Sequence, residues 1–309
     1  MLLPVSLGGK AYMDTMVQCL AAEDGKRLTV EEWGDPRGRP VFLLHGTPGS
    51  RLGPRPRGPV LYPRGIRLVA YDRPGYGGSE PRPGRTVADA AADVRAIADE
   101  LGIERFSVVG RSGGGPHALA CAALLPDRVI RASVLVGIAP PDAAGLEWRA
   151  GMTPANRRDY AIADQGVGRL TEWYEYRAAQ ARANPASMLD FLDAQLTEPD
   201  RRVLADFGIK EMLESNFAEA FRESAAGWVD DTLAFLAPWG FELDRIKVPV
   251  LLWHGEKDVF APISHSRWLA GRITDAKLRV ARGAAHFGAV AVLPDVLEWV
   301  ALGNLLAFE

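Results

Sequence analysis

Ser112 lies in the run Gly110-Arg111-Ser112-Gly113-Gly114, with an apolar segment before it and the helix-forming stretch Pro116-His117-Ala118-Leu119-Ala120-Cys121 after it. The order this implies is strand, tight turn, helix. The serine sits at the tip of the bend, and glycines two before and two after it let the strand and helix backbones pass where a Cβ would collide. A hydroxyl placed there is exposed at the sheet edge, near a helix N-terminus whose free N–H groups favour developing negative charge. The chemistry on offer is nucleophilic attack. Serine is a poor nucleophile at neutral pH, so it needs a base within hydrogen-bond reach and a third group to orient that base.

The chain has five histidines, which makes the search for a base short. His117 follows the serine on the same predicted helix and is carried away from the bend at about 1.5 Å per residue. His254 ends a predicted strand directly before Gly255 and reads as a packing or turn residue. His265 falls at an expected helix start and reads as solvated. His286 differs from these: it follows the last predicted strand through the small residues Gly283, Ala284 and Ala285.

The elements that must position these groups are legible from patterning. Continuous apolar runs at 41–44, 67–71, 105–109, 131–136, 248–254 and 277–281 alternate with helical stretches, which is the grammar of a parallel sheet. Ahead of them, segments 18–22 and 27–33 flank Glu23-Asp24-Gly25-Lys26 and read as a hairpin closed by a type I′ turn. Thr86 with Asp89 predicts a helix start, and Gly102 its end. A last helix is expected from Pro294 to Leu306. About a hundred residues separate the strand ending near Val136 from the one beginning near Val248. That is far more than an ordinary crossover, and the stretch shows helical segments and no convincing strand.

Taken together, the motifs resemble the α/β-hydrolase fold family. His45-Gly46-Thr47-Pro48-Gly49, Asp72-Arg73-Pro74-Gly75-Tyr76-Gly77-Gly78-Ser79, the Gly110–Gly114 run, Gly255-Glu256-Lys257-Asp258 and Gly283-Ala284-Ala285-His286-Phe287 follow predicted strands in family order. The resemblance implies a mostly parallel eight-stranded sheet flanked by helices, with an inserted helical cap. The hydrolase core would then comprise residues 1–138 and 244–309, and the cap residues 139–243.

It also implies roles. His286 occupies the place of the family's base. Asp258 gives the chain order Ser, Asp, His described for the fold, with Asp142 as the alternative acid used by some members. Such a carboxylate fixes the imidazole's tautomer and stabilises the imidazolium. The oxyanion donors would be the backbone N–H groups of Gly113 and, by likeness to His-Gly-x-Pro members, of Thr47. In the family His45 holds its own loop, and the Asp72 motif is a structural turn.

Arg51, Arg55, Arg57, Arg64 and Arg67 crowd a Pro/Gly-rich region and read first as a solvated surface. The sharper expectation is that Arg51, or Arg111 beside the serine, meets a substrate carboxylate or phosphate.

Composition narrows the rest. With 48% apolar and 24% charged residues among 309, the chain can bury a sizeable core. A net charge of -3 gives no long-range attraction to nucleic acid or an anionic membrane. Two cysteines exclude a disulfide framework and a four-cysteine metal site. The glycines break the dinucleotide register, so no cofactor is implied. The opening residues are too short and too broken by Pro and Gly for a signal-peptide core, and a start at Met13 or Met16 would leave residues 1 to 12 a loose tail. A cytoplasmic setting is expected.

The expected activity is hydrolysis of a small or medium, largely apolar ester, thioester or lactone through an acyl-enzyme on Ser112. Two alternatives keep the same three side chains: an aminopeptidase releasing N-terminal proline, with Glu172, Glu175 or Glu211 meeting the α-amino group, and a carbon–carbon bond hydrolase. A third is a non-catalytic, ligand-binding member.

Overall fold

The computed structural model describes residues 16–303. Eight strands form one sheet: β1 (Met16–Ala21), β2 (Arg27–Gly34), β3 (Arg39–Leu44), β4 (Ile66–Tyr71), β5 (Phe106–Arg111), β6 (Val129–Leu135), β7 (Val250–Gly255) and β8 (Ala276–Ala281). Their spatial order is β1-β2-β4-β3-β5-β6-β7-β8. The β1/β2 and β2/β4 pairs are antiparallel, and all others are parallel.

The central parallel strands are mostly apolar because both faces of the sheet are covered there, whereas the edge strand β8 carries Lys277 and Arg279 and has no buried residue. Alternation divides each strand between two cores. Phe42, Leu44, Val108 and Leu252 pack against one helical layer, and Val41, Leu43, Val109 and Leu251 against the other. A four-residue helix, α1 (Gly58–Leu61), packs against the second face. The first face is covered by α2 (Asp89–Glu100) and α3 (Gly114–Leu124). α3 is buried on every side except at its last residue, which is why its sequence runs apolar all round.

Six helices occupy the long stretch between β6 and β7: α4 (Pro154–Ala163), α5 (Val167–Ala183), α6 (Ala186–Asp193), α7 (Glu198–Leu204), α8 (Phe207–Ala220) and α9 (Ala226–Leu236). Their starts follow capping chemistry. Thr153 accepts from Asn156 N with Pro154 in the first turn, and Asp206 accepts from Ile209 N. The helices share a core of their own, in which Tyr174 and Trp228 stack at 3.8 Å, and Tyr76 and Phe287 join it from the sheet side. After β7 come α10 (Ser264–Ala270) and α11 (Gly288–Leu302). Among the described residues no helix is long and apolar enough to cross a membrane.

Three local expectations are corrected. In the β1/β2 turn only Gly25 has positive φ, at 78°, so the loop is not type I′. Gly25 N bonds Ala22 O and Ala22 N bonds Lys26 O, a longer turn ended by one left-handed glycine. At α2 the Thr86 N–H and hydroxyl both donate to the Asp89 carboxylate, so the acid, not the threonine, is the shared acceptor. The last helix begins at Gly288, six residues before Pro294, which lies inside it. Its missing N–H is tolerated in the interior, so the proline marks no start. Residues 1 to 12 and the end of that helix's expected span, Leu305 included, lie outside the described residues.

Candidate active site

The bend after β5 is built as its composition requires. Ser112 has φ of 52°, in the left-handed region that a non-glycine residue enters at a cost. Its N–H donates to Leu135 O at 2.8 Å, anchoring the bend to β6. A Cβ on Gly110 would stand 2.2 Å from Gly114 O, and one on Gly114 would stand 2.2 Å from Leu44 O. Backbone fills both places, so only glycine fits.

Across the sheet, Asp258 follows β7 and His286 follows β8. His286 Nδ1 lies 2.8 Å from Asp258 Oδ2. Asp258 Oδ1 accepts from Phe260 N at 2.8 Å and Ala261 N at 3.0 Å, and His254 Nε2 lies 3.4 Å from Oδ2. Burial alone would raise this carboxyl, but His286 and His254 outweigh it and hold the group well below its usual range. Glu256 is exposed, as is Asp142, and neither touches the ring. The carboxylate paired with the imidazole is therefore Asp258.

Ser112 and His286 open onto one cavity of about 140 Å³ between the sheet and the inserted helices. The serine hydroxyl and the ring share this space without a closed hydrogen bond between them. Thr47 and Gly113 line the same cavity. Among the described residues neither backbone N–H has a protein acceptor, so both are open to a ligand. Tyr160, Phe191, Phe217, Phe235 and Phe260 are among the apolar side chains of its wall.

The remaining histidines serve structure. His45 Nδ1 lies 2.8 Å from Gly46 O, and its Nε2 accepts from Arg73 N. His254 is held between Ser266 Oγ and Ala261 O. The expectation of a solvated His265 fails. It is fully buried, accepts from Ala139 N at 3.1 Å and packs edge-on against Trp148, because the loop after β6 folds over α10.

Arg51 likewise does not reach the cavity, which corrects its expected role toward substrate. It is buried and lies 2.6 Å from Asp72, 2.5 Å from Glu219 and 3.4 Å from Glu31. Three carboxylates claim its donors, so it cross-links β2, the β4 turn and α8. Arg111 does line the cavity. Glu172, Glu175 and Glu211 do not; the acid in the wall is Asp159.

Sequence reasoning passed over Arg73 and Asp231. Asp231, on α9, receives Arg73 Nη2 at 2.5 Å, Arg85 Nη2 at 2.6 Å, the Tyr76 hydroxyl at 3.0 Å and the Thr47 hydroxyl at 2.5 Å. Arg73 also donates to the carbonyls of His45 and Gly46. Burial would raise the Asp231 carboxyl, but the two guanidiniums hold it well below its usual range. The signal was present: Asp230-Asp231 interrupts an otherwise apolar helix. A carboxylate that stays ionised when buried needs strong partners, and here two of them are arginines.

Comparison with known proteins agrees with this fold. Residues 39–290 match the family model described as the alpha/beta hydrolase fold. The chain belongs to the α/β-hydrolase fold family. It is 29% identical over 290 residues to proline iminopeptidase of Neisseria gonorrhoeae, covering 86% of this chain and 89% of that protein. It is also 29% identical over 271 residues to 2-hydroxymuconate semialdehyde hydrolase of Pseudomonas putida, covering 85% of each. The crystal structure of bromoperoxidase from Bacillus anthracis superposes with a TM-score of 0.69 at 21% identity, covering 95% of this chain and 99% of that one.

Proposed function

We propose that the protein is a serine hydrolase that cleaves a small or medium carboxylic ester, thioester or lactone through an acyl-enzyme on Ser112. Its small-molecule substrate enters the cavity between the sheet and the helical insertion, which acts as the cap. The observation that carries this reading is the His286–Asp258 pair at 2.8 Å, opening onto the same cavity as a serine at the tip of a strand–helix bend.

With Nδ1 turned to Asp258, the other ring nitrogen takes the Ser112 proton as Oγ bonds the carbonyl carbon. The carbonyl oxygen becomes an oxyanion held by the N–H groups of Thr47 and Gly113. Its collapse breaks the bond to the leaving alcohol, which departs with the proton from the ring. A water molecule then repeats the sequence and frees the acid. Withdrawal of one oxyanion donor typically costs about 10² to 10³ in rate.

A second reading is amide hydrolysis with release of an N-terminal proline, supported by the Neisseria relative and by Asp159 in the cavity wall. It is the weaker one, because Asp159 already accepts from Trp173 Nε1 at 2.9 Å and has Arg158 at 3.9 Å. The test is turnover of short-chain ethyl and p-nitrophenyl esters beside proline naphthylamide, together with labelling by a fluorophosphonate. Ester turnover and labelling that both vanish in Ser112→Ala support the proposal. Wild-type rates in that variant would sink it, and labelling without turnover of any substrate would favour a silent binder.

A further inference from the structure

Apart from its two tyrosines, the titratable side chains of the cavity lining are Arg111, Asp159 and His286. His286 is answered by Asp258, and Asp159 by Trp173 and Arg158. Arg111 alone has no partner: among the described residues it makes no hydrogen bond, no ion pair and no contact over an aromatic ring. The contrast with the other enclosed arginines is sharp. Arg51, Arg73 and Arg85 each sit within 2.6 Å of a carboxylate, and Arg177 lies over the Phe191 ring.

An unanswered guanidinium is costly where it stands, half-buried with Ile138, Phe235 and Phe260 among the walls. Burial brings its pKa down to about 10, which leaves it charged at neutral pH. Its place is defined by Gly46. A Cβ on that glycine would stand 3.8 Å from Arg111 Nη2 and 3.5 Å from Ser112 Cβ, so cation and nucleophile flank the same residue.

Resting on the hydrolase reading of Ser112, we propose that the substrate carries a carboxylate that pairs with Arg111 beside the scissile carbonyl. The planar guanidinium offers two parallel donors matched to a carboxylate. A single cation in an apolar wall balances one negative charge, whereas a phosphate would bring nearly two. The substrate class is therefore the half-ester, thioester or lactone of a short dicarboxylic acid.

The competing role for Arg111 is support of the oxyanion, which would serve every ester alike. The two separate on a ratio: kcat/KM for monoethyl succinate over kcat/KM for uncharged ethyl pentanoate, followed by acid release. Loss of a charge-assisted contact predicts that Arg111→Met lowers this ratio roughly 10- to 100-fold, with Arg111→Lys between the two. An equal loss on both esters leaves the ratio unmoved and overturns the proposal. If the methionine variant does not fold, the lysine variant decides by the same ratio.

An independent arm uses Ser112→Ala, which cannot turn over. Calorimetric binding of succinate to it should weaken by a similar factor when Arg111→Met is added, or Arg111→Lys if the methionine variant is not stable. Equal binding with and without the guanidinium overturns the proposal even if the protein hydrolyses esters. Arg111-dependent binding with no esterase activity would instead retain the anion site and remove the hydrolase reading.

Discussion

The Thr47 hydroxyl donates to Asp231 at 2.5 Å, so a side chain from the inserted helix α9 grips the loop whose N–H is proposed to hold the oxyanion. The same hydroxyl accepts from Arg73 Nη2 at 2.9 Å and has nothing left to give a substrate. Thr47→Val cuts both bonds while preserving shape. We expect kcat to fall about 10-fold with little change in KM, less than the 10² to 10³ lost when an oxyanion donor is removed outright, because the N–H itself remains. Steady-state kinetics on any ester that is turned over measures this.

Asp231→Asn should be a stability variant first. It leaves Arg73 and Arg85 buried without their counter-charge, and breaking a buried pair in this way costs about 3–5 kcal/mol. Urea unfolding at neutral pH should show the loss.

Asp258→Asn keeps an oxygen for the N–H groups of Phe260 and Ala261 but presents the imidazole with the wrong partner. A fall in kcat of about 10⁴ is expected. Glu256→Gln, two residues away and exposed, should leave kcat within a factor of about two, which separates the two acids of that loop. Equal effects would contradict the role given to Asp258.

The contribution of His265 to stability should fall on mild acidification. His265 is held neutral by burial, which lowers its pKa from 6.5 to about 4. Above 6.5 both folded and unfolded states carry it uncharged, so the full stability is present. As pH drops through 6.5 the unfolded chain takes up a proton that the fold refuses, and the loss continues to about pH 4. The difference of about 2.5 units corresponds to roughly 3 kcal/mol. His45 and His117 are pushed in the same direction by burial and add to the slope. Asp258 acts in a lower window: its stabilisation is present above about pH 4 and disappears below it. Asp72 and Asp93, raised to about 6 by burial, act in the opposite sense between about pH 6 and 4, so the comparison is with the wild type: going from pH 7 to 5 should lower the denaturant midpoint less, or raise it more, in His265→Asn.

Gly110→Ala should fail through backbone collision. The new methyl would meet Gly114 O at 2.2 Å, and neither backbone can retreat without moving β5 or α3. Overpacking of this kind costs at least about 1–3 kcal/mol. The yield of soluble protein and its melting temperature are the readouts.

Much of this architecture can be read before any coordinates. The central parallel strands announce themselves because strands covered on both faces are largely apolar, and the part-exposed edge strand β8 is the least regular of the six. The bend at Ser112 does so because glycine alone fits at 110 and 114. What stays hidden is long-range charge pairing. Arg51 looks like surface in a Pro/Gly-rich stretch, and only the fold brings Glu31, Asp72 and Glu219 around it. His265 looks solvated at a helix start until the loop after β6 is seen to cover it. The proline at 294 misleads for a different reason: it reads as the first residue of the last helix, yet the interior of α11 accommodates it. In the cavity, spacing could not tell Arg51 from Arg111, because what distinguishes them is the presence of partners from distant segments.

Two carboxylates borne by the insertion, Glu219 and Asp231, neutralise arginines that belong to the sheet's own loops. Sheet and insertion are thus not interchangeable modules. A chimaera that transplants residues 139–243 from another family member would inherit a new ceiling for its pocket, but unless the donor brings acids to the same two places it would orphan Arg73 and Arg85 and leave Arg51 with only Glu31 and Asp72. Shuffling that seeks new specificity should treat positions 219 and 231 as part of the recipient.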